Sequence, residues 1–100
     1  AKLDAGKIRV SLVLDGFPRA LEQVAKVGTY GANKYSDNGW MQVPDGIRRY
    51  KDAMGRHRLA DAKGERYCQE TGLLHSAQEA WNTLAKLELE LRAAETEGEI

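Results

Sequence analysis

Polar residues of the kind that do chemistry recur at helical spacing in the second half of the chain. Two runs stand out, the first made of Tyr50, His57, Asp61 and Glu65, with the apolar Met54 on the same face, and the second of His75, Glu79 and Asn82. Residues three or four apart lie on one face of a helix, so each run predicts a helix with ionisable groups along one side. If the two faces meet, they enclose a polar pocket suited to a cation and a phosphate.

Oxygen-bearing side chains in this stretch predict a magnesium site. Mg²⁺ prefers oxygen ligands, keeps several waters and binds through a few carboxylates together with substrate phosphates. Glu79 and Asn82 are one helical turn apart, and Glu65 and Glu70 could reach them from the facing side. Zinc fits less well, because one cysteine and two histidines offer few of its preferred ligands. We therefore expect Glu65, Glu70, Glu79 and Asn82 to hold Mg²⁺, or Mn²⁺ in its place.

Cationic residues near the two runs have the chemistry that binds phosphate. Arg56 precedes His57, and an arginine fork suits phosphate oxygens while an imidazole can move a proton near neutral pH. Lys34 is a second candidate phosphate ligand. Lys7 and Arg9 either close onto the phosphates from a flexible arm or belong to an ordinary solvated terminus.

Aromatic residues in the loop from 36 to 46 and just before it have two interpretations. This loop is rich in Asp, Asn, Gly and Pro, and Trp40 lies in its middle. Trp40 either folds back as a lid on the core or, like Tyr35, stacks on a nucleobase. Both residues are therefore candidate base-binding groups.

Three long helices are predicted to position these side chains. The first begins at Phe17-Pro18, with proline in the first turn, and ends near Tyr35. The second begins after Asp45, a candidate N-cap, and the third runs from Leu73 to about Glu95 with a regular apolar stripe. The expected fold is all-α, a small bundle of three to four helices. We expect one domain over residues 1–100, with an extended arm at 1–15 and a frayed tail at 93–100.

Size and charge limit the classes of function. The chain has 100 residues with 15 basic and 15 acidic side chains, so its formal net charge is zero. A neutral chain is a poor candidate for broad nucleic-acid binding, and no apolar run is long enough to cross a bilayer. The lone Cys68 is typical of a reducing cytoplasm. A chain this short buries a modest core, so a partner subunit is expected.

A set of short motifs, taken in order, resembles a known family. They are Asp4-x-Gly6-Lys7, Pro18-x-Ala20-Leu21, Gly31-Ala32-x-Lys34-Tyr35, Trp40, Arg56-His57, Gly64-Glu65, Glu70-Thr71-Gly72-Leu73 and His75. Together they cover about residues 4 to 92 and resemble the phage-borne dATP/dGTP diphosphohydrolases. That family is a branch of the MazG-like all-α nucleotide pyrophosphohydrolases.

The resemblance implies a function and a set of roles. It implies a magnesium-dependent site between helices, an intertwined dimer or larger oligomer, and hydrolysis of a purine (deoxy)nucleoside triphosphate to the monophosphate and pyrophosphate. The expected water-activating residues are His57, Glu65 and Glu79. The expected substrate-binding residues are Lys7, Lys34, Tyr35, Trp40, Arg56 and His75, with Glu65, Glu70, Glu79 and Asn82 on the metal. The site of action would be the cytoplasm, that of the host if the chain is phage-encoded.

The chain departs from the family pattern at three positions. An aspartate is usual where this chain has Cys68, a second histidine where it has Gln78, and a carboxylate where it has Asn82. Exchanging an anionic ligand for a thiol or an amide removes charge from a magnesium site and should weaken metal binding. A second hypothesis follows, in which the protein has lost catalysis and sequesters a nucleotide or a nucleotide-derived signal, for example to blunt a host defence. A third, a purely structural helical oligomer, leaves the histidines without a role.

Overall fold

A computed structural model describes residues 2–98 and confirms the all-α class. Its helices are α1 (Ser11–Leu14), α2 (Pro18–Lys34), α3 (Gly46–Ala62) and α4 (His75–Thr96), with 3-10 turns at Lys2–Asp4 and Gly39–Gln42. Within these residues there is no strand, and one isolated antiparallel bridge joins Tyr67 to Leu74. The three long helices match the predicted ones to within two residues at every end but one. The exception is the end of α3, which stops at Ala62, so that Glu65 lies in the following loop and not on the helix as predicted.

The starts of α2 and α3 follow from their sequences in different ways. Pro18 occupies the first position of α2, where the missing N–H leaves no hydrogen bond unmade. Asp45 stands at the N-cap position of α3, as predicted, but its side chain makes no capping hydrogen bond. Instead its carboxylate accepts from Arg48 Nε at 2.6 Å. The predicted N-cap position is therefore right. The expected hydrogen bond from Asp45 to the backbone is replaced by an ion pair with Arg48 in the first turn of the helix.

Helix α4 is the element against which the others pack. Its largest interface is with α3, and α2 covers a smaller area of it. Glycines allow close approach at both contacts. A Cβ built on Gly28 of α2 would lie 3.4 Å from Trp81 Nε1, and one on Gly46 of α3 would lie 2.8 Å from Leu89 Cδ1.

The core between these helices is small and half polar. Its buried members are Cys68, Ala77 and Ala85 together with His75, Gln78 and Asn82. Within the single chain, no residue of α2 is buried. Buried polar groups must find hydrogen-bond partners, so the polar half of this core fixes specific contacts rather than filling space.

The amino-terminal arm differs from the extended segment that we expected. It contains a 3-10 turn and the single-turn helix α1, and all its described side chains are exposed. At the other end α4 continues to Thr96, so the tail predicted to fray from residue 93 is helical over its first four residues. The rest of that tail, Glu99 and Ile100, and the start of the arm at Ala1 lie outside the described residues. Within them, none of the helices has the length and apolar character needed to span a bilayer.

Candidate functional site

An open cleft of about 1170 Å³ lies between α2, the loop from 35 to 45, α3 and the first turns of α4. Seven of the residues predicted from the sequence line it. They are Lys34, Tyr35, Trp40, Arg56, His57, Glu70 and Asn82. The fold thus gathers cationic, aromatic and imidazole groups from all three long helices around one opening.

Two histidines meet at the edge of this cleft. His57 Nδ1 on α3 lies 2.8 Å from His75 Nδ1 at the start of α4, which is hydrogen-bonding distance. His75 is buried, with 5% of its surface exposed, whereas His57 is half-buried and lines the cleft. Burial of its ring, with smaller contributions from the charges of His75 and Arg56, lowers the pKa of His57 below its ordinary value of 6.5. His57 is therefore held neutral near pH 7, the form that can accept a proton.

Glu65 approaches the far side of the inner histidine. Its Oε2 lies 3.3 Å from His75 Nε2, at ion-pair distance but not aligned as a full hydrogen bond. No other described residue offers His75 Nε2 a partner. The three side chains form a row that runs from Glu65 through His75 to His57 and the cleft.

A salt bridge crosses the mouth of the cleft. Lys34 Nζ donates to Glu70 Oε1 at 3.1 Å, and it also lies 5.3 Å from the centre of the Tyr35 ring. The hydrogen bond to Glu70, followed by the interaction with Tyr35, raises the pKa of Lys34 above 10.5. Both ends of the pair are solvent-exposed, so the contact is weak and a phosphate can compete with Glu70 for the ammonium group.

Trp40 packs as a lid within an aromatic cluster. Its ring meets those of Tyr50 and Trp81 edge-on, with centroids 6.3 and 5.8 Å away, and Tyr50 meets Trp81 at 5.7 Å. The Tyr50 hydroxyl also donates to the Trp40 carbonyl at 2.8 Å, which ties the loop to α3. Tyr35, by contrast, is 76% exposed at the rim. Of the two candidate base-stacking residues, Tyr35 has the freer ring.

A polar network that the sequence reasoning missed lies at the base of the cleft. Gln78 Nε2 donates to Thr71 Oγ1 at 3.1 Å, and Asn82 Nδ2 donates to the Gln78 carbonyl at 2.7 Å. Burial raises the pKa of the Cys68 thiol, but hydrogen bonds from Thr71, Glu70 and Gln78 outweigh it and leave the pKa below 9.0. The Glu-Thr-Gly turn at 70–72 is the sequence signal that could have identified this network.

The four predicted metal ligands are engaged separately in this chain. Glu65 approaches His75, Glu70 binds Lys34, and the Asn82 amide donates to a carbonyl of its own helix. Glu79 is on α4 but is not among the residues that line the cleft. Across residues 2–98, no three His, Cys, Asp or Glu side chains are close enough together to hold a metal ion. The donors do not fit a magnesium ion as this single chain arranges them, and the magnesium site stays a prediction.

Two further predicted site residues, Lys7 and His75, do not line the cleft. Lys7 is exposed on the arm and does not line the cleft, so its role in phosphate binding stays a prediction. His75 was expected to contact substrate, but it is buried behind His57. The sequence placed both histidines on facing stripes; only the packing of α3 on α4 shows that they touch each other.

The chain has matches among known proteins. Residues 1–99 match the family model described as the amino-terminal part of dATP/dGTP diphosphohydrolase. A relative described as dATP/dGTP diphosphohydrolase, from Salmonella phage PMBT28, is 39% identical over 79 residues, which are 79% of this chain and 26% of the relative. The chain thus spans about a quarter of the length of that relative. No solved structure gives a significant match.

Proposed function

This chain belongs to the dATP/dGTP diphosphohydrolase family, and we propose that it hydrolyses a purine (deoxy)nucleoside triphosphate to the monophosphate and pyrophosphate. One observation carries the proposal. Lys34, Arg56 and His57 come from two different helices and line the same cleft, which at about 1170 Å³ has room for a nucleoside triphosphate. Two cations beside a neutral imidazole can hold phosphate oxygens and accept a proton from water, which are two of the tasks in cleaving a phosphoanhydride.

The residues of the cleft suggest how the nucleotide would bind. The guanidinium of Arg56 and the ammonium of Lys34 would hold the phosphates, with the triphosphate displacing Glu70 from Lys34. Tyr35, exposed at the rim next to Lys34, would stack on the base. His57 would then face the reacting phosphate from the wall of α3.

The test is turnover of each dNTP and NTP by the purified protein, with the monophosphate and pyrophosphate measured as products. Arg56→Gln should raise KM about 10- to 100-fold, because one charge-assisted hydrogen bond contributes about 1.5–3 kcal/mol. Arg58→Gln is the matched control, since Arg58 is exposed on the same helix and does not line the cleft. Absence of pyrophosphate release from every nucleotide would overturn the proposal, and equal KM values for the two variants would remove Arg56 from it.

We also propose that the reaction depends on Mg²⁺ or Mn²⁺. The support is chemical, since a divalent cation bound to the phosphates neutralises the charge that builds up on the leaving group. Chelation should abolish turnover and Mg²⁺ should restore it. Activity that persists in excess chelator would show that the cation is not needed.

A binding function without turnover is the second candidate, and one observation favours it. Within the described residues the carboxylates do not gather into a metal site. The resemblance also implies that Cys68, Gln78 and Asn82 stand in place of ionisable groups. Such a protein would sequester an intact nucleotide or nucleotide-derived signal. Tight binding unaffected by chelator, with the nucleotide recovered unchanged, would identify this role.

The assembly and location of the protein are proposed as well. We propose that two copies pair through their exposed apolar surfaces, because one chain alone buries no large side chain fully within residues 2–98. A nucleoside triphosphate substrate and an unpaired cysteine both suit the cytoplasm, that of a bacterial host if the chain is encoded by a phage.

A further inference from the structure

We infer that Glu65 and His75 hold His57 in the tautomer whose Nε2 lone pair opens into the cleft, where it takes the proton of the attacking water. This inference deepens the proposed hydrolysis and rests on it. His57 is then the catalytic base, and His75 and Glu65 are positioning residues. The spacing of these residues along the chain does not show which ring nitrogens carry the protons.

The row of three side chains has a buried centre, His75, between His57 at the cleft and Glu65 at the solvent-exposed end. His57 Nδ1 and His75 Nδ1 are 2.8 Å apart, so one nitrogen must carry a hydrogen and the other must accept it. No hydrogen bond within residues 2–98 engages His57 Nε2. That atom is also absent from the buried polar atoms without a partner, so solvent in the cleft reaches it.

The position of the shared hydrogen follows from Glu65. His75 Nε2 is buried and has only the Glu65 carboxylate nearby, at 3.3 Å. If that nitrogen carries hydrogen, it faces an anionic acceptor; if it carries a lone pair, it faces the carboxylate lone pairs with no donor in reach. The first arrangement is favoured, because the buried nitrogen has no other partner, although the Glu65 side chain itself is 42% exposed.

The tautomer of His75 determines the tautomer of His57. A neutral His75 with hydrogen on Nε2 has its lone pair on Nδ1, so His57 must donate from its own Nδ1. The remaining nitrogen of His57, Nε2, is then unprotonated and faces the cleft. Glu65, which contacts His75 but not His57, thus decides which tautomer of His57 faces the substrate.

In the chemical step, the attacking water and the side chains of this row are the only groups that carry protons. The oxygen of a water molecule forms a bond to the α-phosphorus as one of its protons passes to His57 Nε2. The bond from the α-phosphorus to the bridging oxygen breaks, and pyrophosphate leaves with that electron pair. The positive charge on His57 is stabilised through Nδ1–H to His75 and through His75 Nε2–H to Glu65, and His57 later releases its proton to solvent.

The chain is well suited to a direct test because His57 and His75 are its only histidines. With ¹⁵N-labelled histidine and no added metal, nuclear magnetic resonance reports only four ring nitrogens, and His57→Gln assigns them. At neutral pH, His57 Nε2 and His75 Nδ1 should be unprotonated and the other two nitrogens protonated. In Glu65→Gln the amide can turn its NH₂ group to His75 Nε2, so the opposite tautomer pair should become populated.

Kinetics form the second readout. His57→Gln should lower kcat by about 10²–10³-fold with little change in KM, the usual contribution of a general base. Glu65→Gln should lower kcat on the order of 10-fold, again more than it changes KM, because part of the protein then presents N–H to the water. Glu22→Gln is the matched control: it makes the same carboxylate-to-amide change at an exposed position of α2 that does not line the cleft, and it should leave kcat and the tautomers unaltered.

The outcomes separate this inference from the proposed function. A protein that hydrolyses nucleotides but shows protonated His57 Nε2, or keeps its tautomers and kcat in Glu65→Gln, overturns the relay and leaves the hydrolase standing. A protein with the predicted tautomers but no turnover of any nucleotide overturns the catalytic role of His57 together with the hydrolase. The predicted tautomers with a selective loss of kcat in both variants support the inference.

Discussion

At the scale of single residues, the site is defined by neutral and weakly paired groups rather than by a cluster of charges. His57 is kept neutral by burial, and His75 sits behind it with Glu65 at the far end of the row. The exposed pair of Lys34 and Glu70 is the kind that opens readily. These residues give the cleft a proton acceptor and available cations, which a charged, fully paired cluster would lack.

The lowered pKa of His57 predicts how stability changes with pH. The groups that face this ring are His75 from α4 and Arg56 from its own helix, which lower the pKa, and Glu70 from the loop, which raises it. In the unfolded chain His57 binds a proton below about pH 6.5, whereas in the folded protein it stays neutral to lower pH. Its contribution is therefore absent above pH 6.5, and the free energy of unfolding falls as pH drops from 6.5 through the folded pKa.

Urea unfolding between pH 7.5 and 5 measures this effect. His57→Gln should show a smaller loss of stability across that range than the unaltered protein, because the substituted side chain does not titrate. The comparison is made between slopes, so contributions from groups that do not touch His57 cancel. Identical slopes for the two proteins would mean that burial does not depress the pKa of His57 in the folded state.

At the scale of elements, close contact between α3 and α4 holds the histidines together. Gly46 marks the tightest point, where a Cβ would lie 2.8 Å from Leu89 Cδ1 and 3.3 Å from Tyr50 Cε2. Gly55 lies on the same helix and has nothing within 4 Å of the place a Cβ would take. Close packing therefore calls for a glycine at Gly46 but not at Gly55.

Substituting each glycine by alanine separates these reasons. Gly46→Ala should lower the free energy of unfolding by about 1 kcal/mol or more, since Leu89 and Tyr50 must shift in a packed interface. Gly55→Ala should raise it by about 0.5–1 kcal/mol, because alanine loses less backbone entropy in a helix. Thermal or urea unfolding gives both values. A stabilising Gly46→Ala would show that the interface has slack at that point.

At the scale of the whole molecule, the single chain is more open than a globular domain of its length. Its radius of gyration is 15.8 Å, against about 13 Å for a globular domain of 100 residues. Apolar side chains are exposed along the arm and along one face of α4. On that face Leu84, Leu87 and Leu91 join Trp40 and Met41 in lining a groove of about 410 Å³. Surfaces of this kind mark an interaction site, and the arm of a second copy has the apolar residues to fill the groove.

The assembly can be tested with one substitution on each side of the proposed contact. Leu87→Glu in the groove and Leu14→Glu on the arm should each weaken a dimer at least about 10-fold, because a charge would be buried against apolar groups. Leu59→Glu is the control, since Leu59 is exposed on α3, does not line the groove and is not part of the arm. Sedimentation equilibrium measures all four proteins. A monomeric unaltered protein, or a dimer indifferent to Leu87→Glu, would contradict the prediction.

The sequence by itself determined the elements and the chemistry they carry. Proline at Pro18, glycine and polar clusters between the helices, and apolar residues at helical spacing are local signals, so the three long helices and the all-α class could be predicted. Spacing of three or four likewise placed His57 on one helix face and His75 on another. The family motifs and seven of the residues that line the cleft were visible at the same level.

Only the tertiary structure decided which of these groups meet. Helical periodicity fixes the face on which a side chain lies, but not how far one helix is rotated or shifted against the next. Packing of the helices brings His57 onto His75 and leaves Glu79 outside the cleft, and the path of the loop between α3 and α4 turns Glu65 toward the same ring and Glu70 toward Lys34. Tertiary packing also places Trp40 between Tyr50 and Trp81. These contacts join residues distant in the chain, and their formation depends on packing that no local pattern encodes.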